Sequence, residues 1–227
     1  MRLKAILNNR NRLTSLKAMV EWLLQFDVEP IILDNDSSYS PLLDWYARCP
    51  VDVIRLNENL GSVAPWESGT LAKLAQHDFI LSDPDLDLSD IPHDWQQVLF
   101  DGLQAFGKPK CGFSLAIDDL PDHFHLKADV INWESQFWKH PVGDRYFDAD
   151  IDTTFALHRA ESACLPPSSK ATRTAKPYIA RHVPWYLDSQ NISAEERYYI
   201  EHASSPTFWT TRFRDSLPTS SSYAQAH

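Results

Sequence analysis

Residues 79–87, FILSDPDLD, contain a short apolar run that passes directly into two aspartates separated by one proline. An apolar run of this length, bounded by turn residues, is typical of a buried β-strand. The pattern predicts a strand over residues 79–82. Asp83 and Asp85 would then lie at the carboxyl end of that strand, where the intervening proline stiffens the turn.

Strands and helices alternate on the N-terminal side of this motif. Apolar spacing predicts a helix that begins near Leu13 and another that opens at Ser40, with proline in its first turn. Three further strands are predicted over residues 3–7, 30–33 and 51–56. Such alternation favours right-handed crossovers. The predicted fold class is therefore α/β, with a mixed, mostly parallel sheet flanked by helices.

Each of these four strands is followed by a cluster of polar residues. Ligands of open α/β sheets bind beyond the carboxyl ends of the strands, so the four clusters are expected to face one crevice. We therefore place the binding site at this edge of the sheet. The clusters are Asn8-Asn9-Arg10, Asp34-Asn35-Asp36, Asn57-Glu58-Asn59 and Asp83-Pro84-Asp85.

The C-terminal half continues the alternation less regularly. Helices are predicted over residues 66–75, 95–106, 130–138 and 193–202, and strands over residues 111–117 and 151–157. The last helix starts at a capping-box pattern, Ser193-Ala194-Glu195-Glu196. Residues 215–227 are rich in serine and poor in apolar side chains, which predicts a flexible tail after a single domain.

The composition limits the partners of the protein. Its formal net charge of −10 does not attract nucleic acid, and no apolar stretch approaches the length of a membrane span. The three cysteines, Cys49, Cys111 and Cys164, form neither a disulfide framework nor a zinc-site spacing. This cysteine usage favours a reducing compartment, and we expect a cytoplasmic protein.

The scarcity of glycine limits the chemistry of the crevice. No G-x-G-x-x-G follows the first strand, and Gly107-Lys108 precedes a proline, so neither a dinucleotide fingerprint nor a P-loop is present. A pyrophosphate would need another source of positive charge. Two carboxylates one residue apart at a strand end suit a divalent cation, which bridges phosphate oxygens well. Asp83 and Asp85 are therefore predicted to bind Mn²⁺ or Mg²⁺.

Taken together, these motifs resemble the GT-A glycosyltransferases, including the large inverting family of bacterial sugar transferases. The likeness covers about the first 90 residues well and the remainder loosely. It implies a nucleotide-sugar-binding half, residues 1–90, and an acceptor-binding and catalytic half of the same domain, residues 91–214. By this resemblance, Asn9-Arg10 would contact the nucleobase, and Asp34 or Asp36 would contact the nucleoside. The segment Asn57-Glu58-Asn59-Leu60-Gly61 would close over the donor. Asp83 would lie near the ribose, and Asp85 would bind the metal.

The resemblance also implies a Rossmann-like sheet and a metal-dependent transfer from a nucleotide-sugar donor. UDP is the commonest donor nucleotide in this fold. The acceptor would be a glycan or a lipid-linked sugar, as in polysaccharide biosynthesis, and a lipid-linked sugar would bring the protein to a membrane. His182 would be a further metal ligand beside Asp83 and Asp85, because many GT-A enzymes supply a late histidine. Candidate partners of the donor diphosphate are Arg10, Arg12, Arg173 and Arg181.

An inverting transfer needs one carboxylate to accept the proton of the acceptor hydroxyl. Asp119, in the pair Asp118-Asp119 after a predicted strand, is the preferred base because a sheet end holds a side chain rigidly. Glu134 is the second candidate, since the resemblance implies an acidic residue at a helix start. At this point the family often has Glu-Asp, whereas this chain has Glu-Ser. Asp152 is the third candidate.

Most of these residues also have a purely structural interpretation. Asp34, Asp36 and Asp119 could belong to ordinary turns, Glu134 to the solvent-exposed face of a helix, and His182 to the core. Four tryptophans are assigned mostly to the core, although one or two could stack on a sugar ring. They are Trp133, Trp138, Trp185 and Trp209.

Three other functions compete with sugar transfer. An aspartyl phosphatase also uses Asp-x-Asp, but that class carries the motif after its first strand rather than its fourth. A nucleotidyltransferase usually carries a glycine-rich loop after the first strand, which Asn8-Asn9-Arg10 does not provide. A catalytically silent carbohydrate-binding protein of the same fold is disfavoured, because clustered carboxylates repel one another and cost stability when no cation is bound.

Overall fold

The computed structural model describes residues 2–188 and 190–203. The predicted tail at residues 215–227 and Trp209 lie outside the described residues. Where the structure describes the chain, no helix combines the length and apolar character needed to cross a bilayer. The strands, in chain order, are β1 (Lys4–Asn9), β2 (Glu29–Asp34), β3 (Asp52–Arg55), β4 (Phe79–Ser82), β5 (Leu86–Asp87), β6 (Lys110–Gly112), β7 (Ser114–Leu115), β8 (Pro141–Val142), β9 (Tyr146–Asp148), β10 (Ala156–His158), β11 (Thr172–Thr174) and β12 (Ile179–His182).

Helices alternate with the first strands and become shorter toward the C-terminus. Four short 3-10 segments, at Gly61–Val63, Ser135–Trp138, Ala160–Cys164 and Val183–Tyr186, supplement the α-helices of the described chain. The α-helices are α1 (Thr14–Gln25), α2 (Ser40–Tyr46), α3 (Ala64–Glu67), α4 (Thr70–Leu74), α5 (Trp95–Ala105), α6 (Lys127–Glu134) and α7 (Ala194–Glu201).

The central sheet of the described residues has nine strands in the order β3-β2-β1-β4-β10-β6-β11-β9-β8. The first four of these strands are parallel, with Asn9 of β1 level with Asp34 of β2. Only β9 and β10 run against the other seven. The structure therefore confirms the predicted α/β class with a mixed, mostly parallel sheet flanked by helices.

The sheet is held by apolar packing on both faces. Helix α1 buries Leu16, Met19, Val20 and Leu23, which recur at helical spacing and pack in the larger core cluster with α5. The aromatic rings of Trp22 and Trp95 stack at 5.0 Å between centroids within this layer. The opposite face carries a smaller cluster around α3 and α4. Two packed faces fix the sheet, so the loops after β1, β2 and β4 start from rigid positions.

A second, three-stranded sheet with the order β5-β12-β7 lies where the Asp-x-Asp segment leaves β4. Strand β12 pairs antiparallel with β5, with His182 opposite Leu86 and Arg181 opposite Asp87. Val183 N–H also donates to the carbonyl of Asp85 at 2.9 Å. This pairing brings a residue from late in the chain beside the aspartates that follow β4.

Several predicted elements were wrong in extent, for identifiable reasons. The helix predicted over residues 66–75 is broken into α3 and α4, because Gly69 adopts a left-handed φ of 67°. The strand predicted over 111–117 is divided into β6 and β7, which pair in different sheets. The strand predicted over 151–157 is reduced to β10. In its first half, the Asp152 carboxylate accepts from Thr154 N–H at 3.3 Å, a local bond that competes with strand pairing.

The predicted N-terminus of the last helix is confirmed. Ser193 Oγ accepts a hydrogen bond from Glu196 N–H at 3.0 Å, the side-chain cap that the capping-box pattern predicts. The helix predicted over residues 130–138 begins earlier, at Lys127, and its last turn tightens into the 3-10 segment Ser135–Trp138. Helix α6 therefore ends at Glu134, one of the predicted catalytic residues.

Candidate functional site

A cavity of about 670 Å³ opens at the carboxyl ends of β1, β2 and β4. All four polar clusters predicted to meet at this edge contribute to its wall, which confirms the predicted crevice. The second half of the chain closes the cavity with residues from α6, the segment before β10, β12 and α7. From the four clusters the lining residues are Asn8, Asn9, Arg10, Asn35, Asn59, Asp83, Pro84 and Asp85.

The loop after β3 is tied to the floor of the cavity by amide side chains. Asn35 donates from its amide nitrogen to the carbonyl of Gly61 at 2.9 Å and accepts from Leu60 N–H at 2.8 Å. Asn8 donates to the same Gly61 carbonyl at 3.3 Å. These bonds hold Asn59 and Gly61 at the cavity wall, where the resemblance places the loop over the donor.

The acidic residues after β2 do not line the cavity. Asp34 is fully buried, where its carboxylate accepts from Tyr46 Oη at 3.1 Å and from Arg55 Nε at 3.2 Å. Tyr46 in turn accepts from Asn9 at 2.8 Å. Asp36 is exposed and has a left-handed φ of 62°. The structure therefore gives Asp34 a structural role beneath the cavity and brings neither carboxylate to its surface.

The Asp-x-Asp carboxylates occupy two different environments inside the cavity. Asp85 lies 3.5 Å from His182 Nε2 and 3.6 Å from Arg12 Nε. Burial alone would raise the pKa of Asp85, but His182 and then Arg12 outweigh it and hold that pKa below its usual range. Burial, reinforced by the charge of Asp85, raises the pKa of Asp83, whose carboxylate accepts from Thr153 Oγ1. The pair therefore has one firmly ionised member and one that a cation would help to ionise.

The donor set of this pair fits a divalent cation that also contacts a phosphate. Within the described part of the chain, no three His, Cys, Asp or Glu side chains converge closely enough to form a complete metal site alone. Mg²⁺ usually takes one or two carboxylates and completes its shell with water and substrate phosphates. Asp83, Asp85 and His182 all line the same cavity, so they can supply the few ligands that such a cation takes from the protein.

Arg12 links the cavity to the C-terminal helix. Its guanidinium donates to both carboxylate oxygens of Glu196, at 2.5 and 3.3 Å, and lies 3.9 Å from the centre of the Tyr199 ring. The neighbouring Glu195 accepts from Leu13 N–H at 2.7 Å and from Thr14 N–H at 3.0 Å, which satisfies the first amides of α1. Helix α7 therefore forms one wall of the cavity, a contact that sequence reasoning missed.

Arg10 is also held by the C-terminal segment. It donates from Nη1 to the carbonyl of His202 at 2.7 Å, and it lines the cavity together with Arg12. Of the four candidate partners of a diphosphate, three reach the cavity: Arg10, Arg12 and Arg173. Only the capping-box pattern at residues 193–196 gave a sequence signal for this wall, and it did not show which surface the helix covers.

Glu134 is the predicted catalytic residue that the structure buries in the cavity wall. It accepts a hydrogen bond from Arg173, whose guanidinium also lies 4.1 Å from the centre of the Phe137 ring. Burial raises the pKa of Glu134, and the charge of Arg173 opposes this shift without cancelling it. A carboxylate with a raised pKa, fixed by a cation, is suited to accept a proton.

Asp152 lines the same side of the cavity in an exposed turn. Its carboxylate is engaged with Thr154, and its carbonyl accepts from the buried Lys110 Nζ at 2.8 Å. The next residue, Thr153, donates to Asp83 and accepts from Asp83 N–H through its carbonyl at 3.0 Å. This segment therefore connects the Asp-x-Asp motif with the Glu134 side of the cavity.

The structure does not bring Asp118, Asp119 or Arg181 to the cavity. Asp119 accepts from Arg181 Nε at 2.6 Å and from Tyr186 Oη at 2.5 Å. Asp118 is paired with Lys176 on the exposed surface. Beyond β7 the chain stays beside β12, since Ala116 N–H donates to the carbonyl of Ala180 at 2.8 Å and Asp119 is held by Arg181 of β12. Strand-end position alone, which favoured Asp119, does not distinguish the two sheets.

No protein-family model matches the chain, and no curated protein matches it. Among solved structures, the chain is similar to S. aureus TarS 1–349, with 10% sequence identity and a TM-score of 0.46. The match covers 88% of this chain and 69% of that chain. TarS is a glycosyltransferase.

Proposed function

We propose that the protein is a metal-dependent glycosyltransferase that moves a sugar from a nucleoside-diphosphate donor to a hydroxyl acceptor. The observation that carries this proposal is the meeting of Asp83, Asp85 and Glu134 in one cavity. The first half of the chain contributes Asn8, Asn35 and Asn59 to the wall of that cavity, and the second half contributes Glu134, a carboxylate with a raised pKa. A donor and an acceptor can therefore meet between a diphosphate-binding end and a proton acceptor.

The donor end would hold the nucleotide and its diphosphate. Asp85 and Asp83, with His182, would hold Mn²⁺ or Mg²⁺, which supplies the positive charge that stabilises a departing diphosphate. Arg10 lies on the same wall and adds positive charge, whereas Arg12 there is paired with Glu196 and would help to position Asp85. We propose UDP as the nucleotide and a glycan or a lipid-linked sugar as the acceptor, following the resemblance described above.

Glu134 is the proposed general base. It would accept the proton of the acceptor hydroxyl while that oxygen attacks the anomeric carbon, and Arg173 would keep its carboxylate oriented. Asp152 is the second candidate because it lines the same side of the cavity. Asp118 and Asp119 are not part of this proposal, since they are engaged in surface ion pairs.

Thermal unfolding tests the donor site directly. The protein is heated with UDP, with Mn²⁺, with both and with neither, as wild type, as Asp85→Asn and as Asp144→Asn, an exposed control outside the cavity. At about a hundred times its dissociation constant, a ligand stabilises the fold by roughly 2.7 kcal/mol. We expect UDP to raise the Tm of the wild type and of Asp144→Asn when Mn²⁺ is present, but not when it is absent. Asp85→Asn should show no rise under either condition.

The same experiment separates the competing functions. If no nucleoside diphosphate shifts Tm with either Mn²⁺ or Mg²⁺, the donor site is not there. Hydrolysis of p-nitrophenyl phosphate that depends on Asp83 would then support a phosphatase. If UDP binds but no UDP-sugar is consumed with any acceptor or with water, the protein is a binding module of the same fold.

A further inference from the structure

We infer that the end of the cavity around Trp133 is a subsite for an uncharged sugar ring, which rests on Trp133 as a stacking platform. Trp133 is the penultimate residue of α6, next to the proposed base Glu134, and both residues line the cavity. That this sugar is the acceptor rests on the proposed function, whereas the binding of a sugar at Trp133 does not.

The exposure of Trp133 is the first observation. Its side chain remains 55% exposed, although every other tryptophan in the described residues is buried or partly buried. The ring meets Phe137 edge to face, with centroids 6.3 Å apart, and Gln136 donates to the Trp133 carbonyl at 2.8 Å. The ring therefore has an aromatic neighbour on its own helix end and still keeps more than half of its surface accessible. Aromatic faces suit the apolar C–H surface of a sugar ring.

The polar groups around the platform are the second observation. Gln136, Asp150, Asp152 and Ser169 line the same cavity. Ser169 donates to the Asp150 carboxylate at 2.8 Å, and the carbonyl of Asp150 accepts from Arg173, the partner of Glu134. Oxygen acceptors and hydroxyl groups beside an aromatic wall are the partners that ring hydroxyls require. A purely aliphatic chain would leave these groups without hydrogen bonds, at a free-energy cost.

Charge decides between a neutral and an anionic sugar. Glu134, Asp150 and Asp152 contribute carboxylates to this end, whereas the cation lining it, Arg173, is already paired with Glu134. Arg173 also donates from Nε to the carbonyl of Asp150 at 2.7 Å, which occupies a second donor. Lys110 also acts electrostatically on Asp150 and Asp152, but it is buried and donates to the carbonyl of Asp152 at 2.8 Å. A phosphate or uronate group would therefore meet the exposed carboxylates of Asp150 and Asp152. The subsite should accept a neutral ring and exclude an anionic one.

Saturation-transfer NMR with methyl β-D-glucoside, methyl β-D-galactoside, methyl α-D-mannoside and methyl β-D-glucuronide tests the inference. The glucuronide carries a carboxylate where the glucoside has its hydroxymethyl group, so the pair compares an anionic ring with a neutral one. We expect at least one neutral glycoside to bind the wild type through its C–H face, and Trp133→Ala to weaken that binding about tenfold or more. Trp133→Phe should retain most of it, and the equally exposed Leu165→Ala should retain all of it.

The outcomes are separable from those of the donor test. UDP with Mn²⁺ should raise the Tm of Trp133→Ala as much as that of the wild type, because Trp133 is not among the residues proposed to hold the nucleotide or the metal. Binding of no glycoside, equal binding by Trp133→Ala, or tighter binding of the glucuronide would each overturn the inference. If UDP fails to bind but the glycoside still depends on Trp133, the sugar subsite stands and the proposed transferase function fails.

Discussion

Arg173 donates a hydrogen bond to Glu134 in the wall of the cavity, and the two side chains are only 4% and 3% exposed. The two residues are 39 positions apart in sequence and come from β11 and α6. Burying two charges is unfavourable unless each satisfies the other, so the pair is sensitive to the loss of one partner. This relationship gives Glu134 both its position and part of its acidity.

Breaking this pair should destabilise the fold, whereas replacing both residues should not. We expect Arg173→Met to lower the free energy of unfolding by about 3 kcal/mol, because it leaves a buried carboxylate without its cation. The double variant Glu134→Leu with Arg173→Met should recover most of that loss, since the two apolar side chains can pack together. Urea denaturation measures all three proteins. A double variant as unstable as the single variant would show that the charges are not coupled.

The raised pKa of Glu134 predicts the direction of the pH dependence. A general base must be deprotonated, so kcat/KM for sugar transfer should rise with pH, with its midpoint above the usual value of a glutamate. Arg173→Gln removes the opposing positive charge and should move the midpoint to still higher pH. The pH–rate profiles of wild type and variant at saturating Mn²⁺ measure both shifts. An unmoved midpoint in Arg173→Gln would assign the base to another group, with Asp152 tested next.

The docking of α7 should depend on the ion pair between Glu196 and Arg12. These side chains are 9% and 8% exposed, and Arg12 also lies against Asp85. Glu196→Gln removes one partner of a buried pair, so we expect a loss of about 2 kcal/mol and faster hydrogen exchange in α7. Glu201→Gln, an exposed position of the same helix, is the matched control and should change neither. Unchanged exchange in Glu196→Gln would mean that the Glu195 contacts with α1 suffice to hold the helix.

The buried His158 predicts a stability loss in mild acid. Burial, and then the charge of Lys110, lower the pKa of His158 to about 3. A histidine in the unfolded chain is protonated below about pH 6.5. Between that pH and about 3, this histidine therefore binds a proton in the unfolded chain but stays neutral in the folded chain. The free energy of unfolding should therefore decrease as the pH is lowered. At pH 5 this group alone should account for a loss of about 2 kcal/mol relative to neutral pH. Unfolding of His158→Gln at pH 7 and pH 5 should show a smaller drop, and an equal drop would contradict the assignment.

Gly112 is predicted to be the glycine least tolerant of a side chain. A Cβ atom there would lie 2.2 Å from the carbonyl oxygen of Phe155 and 2.8 Å from the Cβ of Ala156, both from the neighbouring chain segment in the sheet. We expect Gly112→Ala to lower stability by about 3 kcal/mol, since backbone atoms cannot move aside cheaply. Gly107→Ala meets no atom within 4 Å but has a φ of 62°, so it should lose about 1 kcal/mol. Similar midpoints in urea for the two variants would contradict this packing.

The sequence alone determined the edge of the sheet at which the cavity with the candidate site lies. Apolar runs locate β1, β2, β3 and β4, and parallel strands necessarily present their carboxyl ends together, so the polar residues that follow them meet without further information. The Ser193 cap was likewise predictable, because its hydrogen bond spans only three residues. Patterns of this kind are local, and local hydrogen bonding and burial enforce them.

Only the tertiary structure decided which of the predicted side chains share the cavity. Arg12 and Glu196 are 184 residues apart, and their pairing depends on how α7 packs rather than on any pattern near either residue. Asp119 and Glu134 were both plausible bases in sequence, but the pairing of β7 with β12 directs Asp119 into surface ion pairs, while α6 buries Glu134 against Arg173. Long-range packing fixes these choices, because the free energy of a buried charge depends on neighbours that the adjacent sequence does not contain.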